Sequence, residues 1–222
     1  MSLWIKICGT TSLDDALLAV DAGAHAIGFV LAPSPRRVSV AQVAAMTPQL
    51  PASIEKFAVF VDAAFAEIES AVRLCGLTGV QLHSDSDSDL PRRLRETFGP
   101  SLRIVRVVHF GADAVARAAG IDRDANVDAI LVDSRTATAL GGTGISFDWA
   151  AARSTLFESG NGRQLRRIAA GGLTPANVAK AIATLRPWGV DVVSGVESSP
   201  GRKDSNKVRE FIANARAASE KI

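Results

Sequence analysis

The stretch Trp4-Ile5-Lys6-Ile7-Cys8-Gly9-Thr10-Thr11 decides the fold. An apolar run broken by one lysine ends in a cysteine, a turn-forming glycine and paired threonines. That is the pattern of a β-strand running into a loop that leads to a helix. Side chains on a strand alternate faces, so Trp4, Lys6 and Cys8 share one side and Ile5 and Ile7 the other. With the isoleucine side under a helix layer, Lys6 and Cys8 point into whatever the sheet encloses. A lysine placed there needs an anion or a carboxylate. Cys8 then has two readings. It is a small buried hydrophobe, or it is a thiol at an electropositive strand end, whose pKa is expected to fall from about 8.5 so that the thiolate becomes available.

Outward from this stretch the same unit recurs. Ser12 is placed to cap a helix that Gly23 closes, and Ser39 to cap another that runs to about Met46. Further strands are expected over 25–30, 56–61, 79–83, 103–108, 129–133, 167–170 and 190–193. The helices between them are expected over 64–74, over 88–98, after Gly111, from near Phe147 and over 175–185. A last helix shows Val208, Phe211, Ile212 and Ala215 at helical spacing. Continuous apolar strands without alternation suit a parallel sheet covered on both faces. Eight strands alternating with eight helices, at roughly 24-residue intervals, predict an α/β protein, a single-domain (β/α)8 TIM barrel over residues 1–222. An open doubly wound sheet is the alternative that repeats alone do not separate.

Composition narrows the function. A hydrophobic content of 47% with 22% charge is that of a folded globular chain with a sizeable core. No apolar run is long enough to span a membrane and the first residues enter a strand directly, so the expected setting is cytoplasmic, with no membrane partner. Cys8 and Cys75 are too few for a disulfide scaffold and lack metal-ligand spacing, so no metal is expected. A net charge of +2 with dispersed basic residues argues against nucleic acid. Tyrosine is absent, which leaves His25, His83, His109, carboxylates, lysines and cysteine for acid–base work.

Barrel chemistry gathers at the C-terminal ends of the strands. Polar residues there include Cys8, Arg36, Asp62, Gln81, His83, His109, Asp133, Gly171-Gly172 and Ser194-Gly195. The loops at Gly171-Gly172 and Ser194-Gly195 follow strands seven and eight, where barrels often hold a phosphate. Paired glycines let backbone N–H groups approach an anion, and a short helix start adds its dipole. Either loop alone is a tight turn; together they point to phosphate. Asp133 ends an apolar strand, as a loop cap or as a general acid. After it comes Gly141-Gly142-Thr143-Gly144 in the longest gap between strands, which fits a mobile loop over the site. Arg36 and Arg37 lie after strand two. A guanidinium fork there matches a carboxylate or phosphate, and spacing does not decide which of the two faces the site.

Taken in order, Lys6-Ile7-Cys8-Gly9, Gly28-Phe29, Ser34-Pro35-Arg36, Val80-Gln81-Leu82-His83, Val132-Asp133-Ser134, Gly141-Gly142-Thr143-Gly144 with Phe147-Asp148-Trp149, Ala170-Gly171-Gly172-Leu173, Asp191-Val192-Val193-Ser194-Gly195-Val196-Glu197 and Pro200-Gly201-Arg202-Lys203-Asp204 resemble the phosphoribosylanthranilate isomerase family. The resemblance runs from the first strand to the last helix. It implies an Amadori rearrangement in tryptophan biosynthesis, with no metal or organic cofactor and a small-molecule phosphosugar as partner. By the resemblance, Asp133 is the general acid and Cys8 the base. Arg36 holds the anthranilate carboxylate, and Gly171, Gly172, Ser194 and Gly195 the phosphate. Gln81 and His83 are orienting or structural groups. The resemblance leaves monomer and homodimer both open. A phosphosugar isomerase of the histidine-pathway type would carry Asp where this chain has Cys8. A phosphosugar-binding barrel without activity would not need both Cys8 and Asp133.

Overall fold

The computed structural model describes residues 3–83, 87–133, 148–158 and 165–221. Eight strands alternate with eight helices: β1 (Trp4–Cys8), α1 (Leu13–Ala22), β2 (Ala26–Val30), α2 (Val40–Met46), β3 (Glu55–Phe60), α3 (Phe65–Cys75), β4 (Gly79–Leu82), α4 (Leu90–Phe98), β5 (Arg103–His109), α5 (Ala114–Asp122), β6 (Ala129–Asp133), α6 (Trp149–Ala152), β7 (Arg166–Ala170), α7 (Val178–Leu185), β8 (Gly189–Val192) and α8 (Ser205–Ser219). The strands pair in parallel in sequence order, and β8 returns to β1, so the sheet closes and no edge is left. The expected barrel is therefore the fold.

Strand alternation divides the core in two. Ile5, Ile7, Ile27, Phe29, Val80, Ile104, Ile130 and Val190 face outward into the helix layer. Burying one such side chain is worth about 1.5–3 kcal/mol. Trp4, Ala26, Phe57, Val105, Val107, Ala129, Leu131, Ile168 and Ala170 fill the interior. Trp4 closes the floor, stacked on Trp188 at 5.2 Å and meeting Phe57 edge-on at 5.8 Å. Its indole N–H donates to Glu55 Oε2 at 2.7 Å.

Local signals explain most boundaries. Ser12 accepts from the Asp15 N–H and Gly23 closes α1 in the left-handed region, while Ser39 and Gln42 cap α2 reciprocally. The helix expected over 175–185 starts only at Val178. The Asn177 side chain accepts from the Thr174 N–H at 2.8 Å and so holds the preceding residues in a turn. The helix expected from near Phe147 is a single turn, α6, followed by a π-helical turn at Arg153–Phe157. Two further strands, β9 (Glu197–Ser199) and β10 (Arg202–Lys203), form an unforeseen antiparallel hairpin after β8. The glycine-rich segment at Gly141-Gly142-Thr143-Gly144, Ser134 and Phe147 lie outside the described residues. So do positions 84–86. Among the described residues no helix is long and apolar enough to cross a membrane.

Candidate active site

The inward positions of β1 rise from Trp4 through Lys6 to Cys8, so the strand delivers an ammonium and then a thiol toward the mouth. Lys6 is 1% exposed and Cys8 2%. The lysine finds the carboxylate that its burial demands. Its Nζ donates to Asp191 Oδ1 at 2.8 Å and to Gln81 Oε1 at 2.9 Å. Register explains the meeting, because Lys6 lies directly beside Asp191 on β8. An ammonium only donates, so it fixes the Gln81 amide with its NH2 turned away, and Gln81 Nε2 sits 2.9 Å from His83 Nε2. His83 therefore accepts at Nε2. Its ring lies 5.8 Å from that of His109. Asp191, Lys6, Gln81 and His83 thus form one polar chain across β8, β1 and β4.

The expectation that the Cys8 pKa falls is corrected. Burial pushes the thiol above its ordinary value, and Lys6, which pulls it down, only partly offsets that, with Asp191 adding to the upward push. Lys6 itself is pushed down by burial, but Asp191 and Cys8 hold it above its usual value. The neighbouring charge was legible in the sequence; the desolvation was not.

Asp133 is the last inward residue of β6, 5% exposed, beside His109 on β5 and Ala170 on β7. Beneath it the interior is apolar, with Leu131 flanked by Val107 and Ile168. Asp133 and Asp191 line one cleft together with Gly171, Gly172, Ser194 and Gly195. The structure thus brings the two glycine-bearing loops and the candidate acid to a single place. Gly195 has no room for a side chain, since a Cβ would run into the Leu173 carbonyl. Asn177 braces the other loop, donating to the Gly172 carbonyl at 2.9 Å. Among the described residues nothing accepts from the N–H of Gly172 or Gly195. Ser194–Val196 is one 3-10 turn, and α7 begins six residues past Gly172.

Arg36 stands on the Cys8 side of the mouth, over Gly9 and against Val193. Its Nε and Nη2 donate to Glu197 Oε1 and Oε2 at 2.8 and 2.7 Å, which leaves the Nη1 corner without a bond among the described residues. Burial pushes Glu197 up, but Arg36 and Lys203 hold its carboxyl below the usual range. Arg37 is exposed. Glu197 and Lys203 escaped sequence reasoning as site residues. The Lys203 Nζ donates to the Cys8 carbonyl at 2.6 Å and to the Val193 carbonyl at 3.3 Å, tying the ends of β1 and β8 through the β9–β10 hairpin. Among the described residues no three His, Cys, Asp or Glu side chains converge to hold a metal.

A closed parallel barrel with titratable side chains and glycine-bearing loops gathered at the C-terminal ends of its strands is the build of a barrel enzyme. The sequence pattern of the family described as N-(5'phosphoribosyl)anthranilate (PRA) isomerase matches residues 5–214. A relative from Trichlorobacter lovleyi named N-(5'-phosphoribosyl)anthranilate isomerase is 41% identical over 215 residues, 96% of this chain and 98% of its own length. The crystal structure of phosphoribosyl anthranilate isomerase from Thermotoga maritima superposes with a TM-score of 0.85 at 33% identity, covering 97% of this chain and 99% of that one. A structure of such an isomerase in complex with reduced 1-(o-carboxyphenylamino)-1-deoxyribulose 5-phosphate superposes at 0.80 with 32% identity, covering 97% of this chain and 99% of that one. The chain belongs to the N-(5'-phosphoribosyl)anthranilate isomerase family.

Proposed function

We propose that Cys8 and Asp133 carry the isomerisation of N-(5'-phosphoribosyl)anthranilate, the reaction of the family to which this chain belongs. The reaction is an internal oxidoreduction of tryptophan biosynthesis that turns an aminoaldose into an aminoketose, and the cytoplasm is the setting that goes with this reading. Asp133 gives its proton to the ribose ring oxygen as the bond from that oxygen to C1′ breaks, leaving an open-chain Schiff base. The Cys8 thiolate takes the C2′ proton, and the resulting enolamine tautomerises to the ketone. The loops at Gly171-Gly172 and Ser194-Gly195 hold the phosphate through their N–H groups. The Nη1 corner of Arg36 holds the anthranilate carboxylate. Gripping both anionic ends places the reacting carbons between acid and base, which is the positioning part of catalysis.

The observation that carries the reading is the placement of Cys8 and Asp133 as the topmost inward residues of β1 and β6, with the glycine-loop cleft between them on β7 and β8. A phosphosugar complex of a family member supports the same ligand class. The test is a fluorescence assay that follows loss of N-(5'-phosphoribosyl)anthranilate in the presence of chelator. Asp133→Asn keeps the shape but removes the carboxylic proton, so turnover should fall by about 10²–10⁴-fold while affinity for a product analogue stays near wild type. Wild-type turnover in Asp133→Asn removes it as the acid.

A further inference from the structure

The step assigned to Cys8 needs a thiolate, yet the sulfur is buried where burial opposes the charge. Charged groups facing it come from four elements: Lys6 on its own strand, Asp191 on β8, Lys203 on β10 and Arg36 after β2. Three of these are committed elsewhere. Lys203 bonds the Cys8 and Val193 carbonyls, Arg36 is clamped by Glu197, and Asp191 accepts from Lys6. Lys6 differs. Two of its three N–H donors go to Asp191 and Gln81, which leaves one without a partner among the described residues. Gly28 shows how close the two groups come. A Cβ there would lie 2.5 Å from Cys8 Sγ, 3.0 Å from Lys6 Cε and 3.1 Å from Lys6 Nζ, so thiol and ammonium converge over one bare glycine. Stability alone is a weak reason for such an arrangement, because apolar replacement of a buried ion pair is often neutral or better.

We infer that Lys6 is a positioning residue of the isomerase: its ammonium, held by Asp191 and Gln81, is aimed at Cys8 and supplies the counter-charge for the thiolate. Lys6 lies one layer below the sulfur and touches no substrate; it acts through Cys8. Asp191 plays the opposite part, aligning the ammonium while drawing on its charge. The two partners therefore push the thiol in opposite directions.

The inference rests on Cys8 being the base, but its test does not. In a Cys75→Ser background, the rate of Cys8 alkylation by iodoacetamide is followed against pH. Lys6→Met should move the thiolate limb to higher pH and Asp191→Asn to lower pH, with folding checked by circular dichroism. Lys6→Met should also lower turnover at neutral pH by about 10²-fold, the low end of what a positioned base contributes, with KM little changed. Should Lys6→Met strand the Asp191 carboxylate and fail to fold, Lys6→Met/Asp191→Asn carries the test. Its limb should still lie above wild type, since the Lys6 charge acts on the thiol more strongly than that of Asp191. An unmoved limb, or single variants that shift it the same way, overturns the inference. Full turnover in Cys8→Ser would instead overturn the base assignment and leave the Lys6–Cys8 coupling standing.

Discussion

The two walls of the barrel mouth are built on different principles. The β8–β1–β2 wall stacks charge on charge, with Lys6 against Asp191 and, at the ends of β1 and β8, Arg36 and Lys203 against Glu197, all around Cys8. Above the floor the β5–β6–β7 wall is apolar up to its last row, where Val107, Leu131 and Ile168 give way to His109, Asp133 and Ala170. The groups proposed as base and acid therefore stand on walls of different make-up. The barrel supplies both because each strand contributes its own inward ladder.

Short of removing the base or the acid themselves, the largest break in the comparison should come from crowding the charged wall at the sulfur. Gly28→Ala puts a methyl group 2.5 Å from Cys8 Sγ, and the thiol must turn away. A displacement of about 1 Å at a reacting group can cost about 10²-fold, so kcat should fall by that order with the fold retained. Wild-type kcat in Gly28→Ala would mean that the position of the sulfur is immaterial.

A smaller effect belongs to the rim of that wall. Arg36→Ala should cost about 1.5–3 kcal/mol in kcat/KM, mostly through KM, as expected for losing a charge-assisted pair. Arg36→Lys should recover part of it, because an ammonium cannot form the bidentate fork. Steady-state kinetics that spare Arg36→Ala and penalise Arg37→Ala would move the carboxylate site.

The smallest effect lies outside both walls. Cys75 is buried on α3, its thiol donating to the Val40 carbonyl at 3.4 Å in the helix layer. Cys75→Ser should leave turnover nearly unchanged in the same assay, and a loss comparable to that of Gly28→Ala would show that thiol chemistry is not confined to the mouth.

Much of this contrast could be read from residue order. Parallel strands buried on both faces leave apolar runs at regular spacing, and caps such as Ser12, Gly23 and Ser39 mark where the helices between them start and stop. Alternation from Trp4 to Cys8 placed Lys6 and the thiol inside. What the order of residues did not carry was pairing at long range and burial. The partner of Lys6 lies 185 positions away, and Glu197 and Lys203 sit in strands of three and two residues, too short for any period to register. The direction of the Cys8 shift followed from desolvation, which depends on everything packed around the sulfur. α7 started late because one side chain, that of Asn177, accepts from the Thr174 N–H and holds a turn there.

The central claim is that Cys8 takes the C2′ proton. The most direct measurement is the isotope effect on turnover with substrate deuterated at C2′, compared between the wild-type chain and Cys8→Ser. Serine keeps the size of the side chain but does not ionise near neutrality. The account predicts a fall in turnover of about 10²–10⁴-fold in Cys8→Ser, with a larger deuterium effect as proton removal becomes limiting, and unchanged affinity for a product analogue. Wild-type turnover in Cys8→Ser, with no change in the isotope effect, would contradict it.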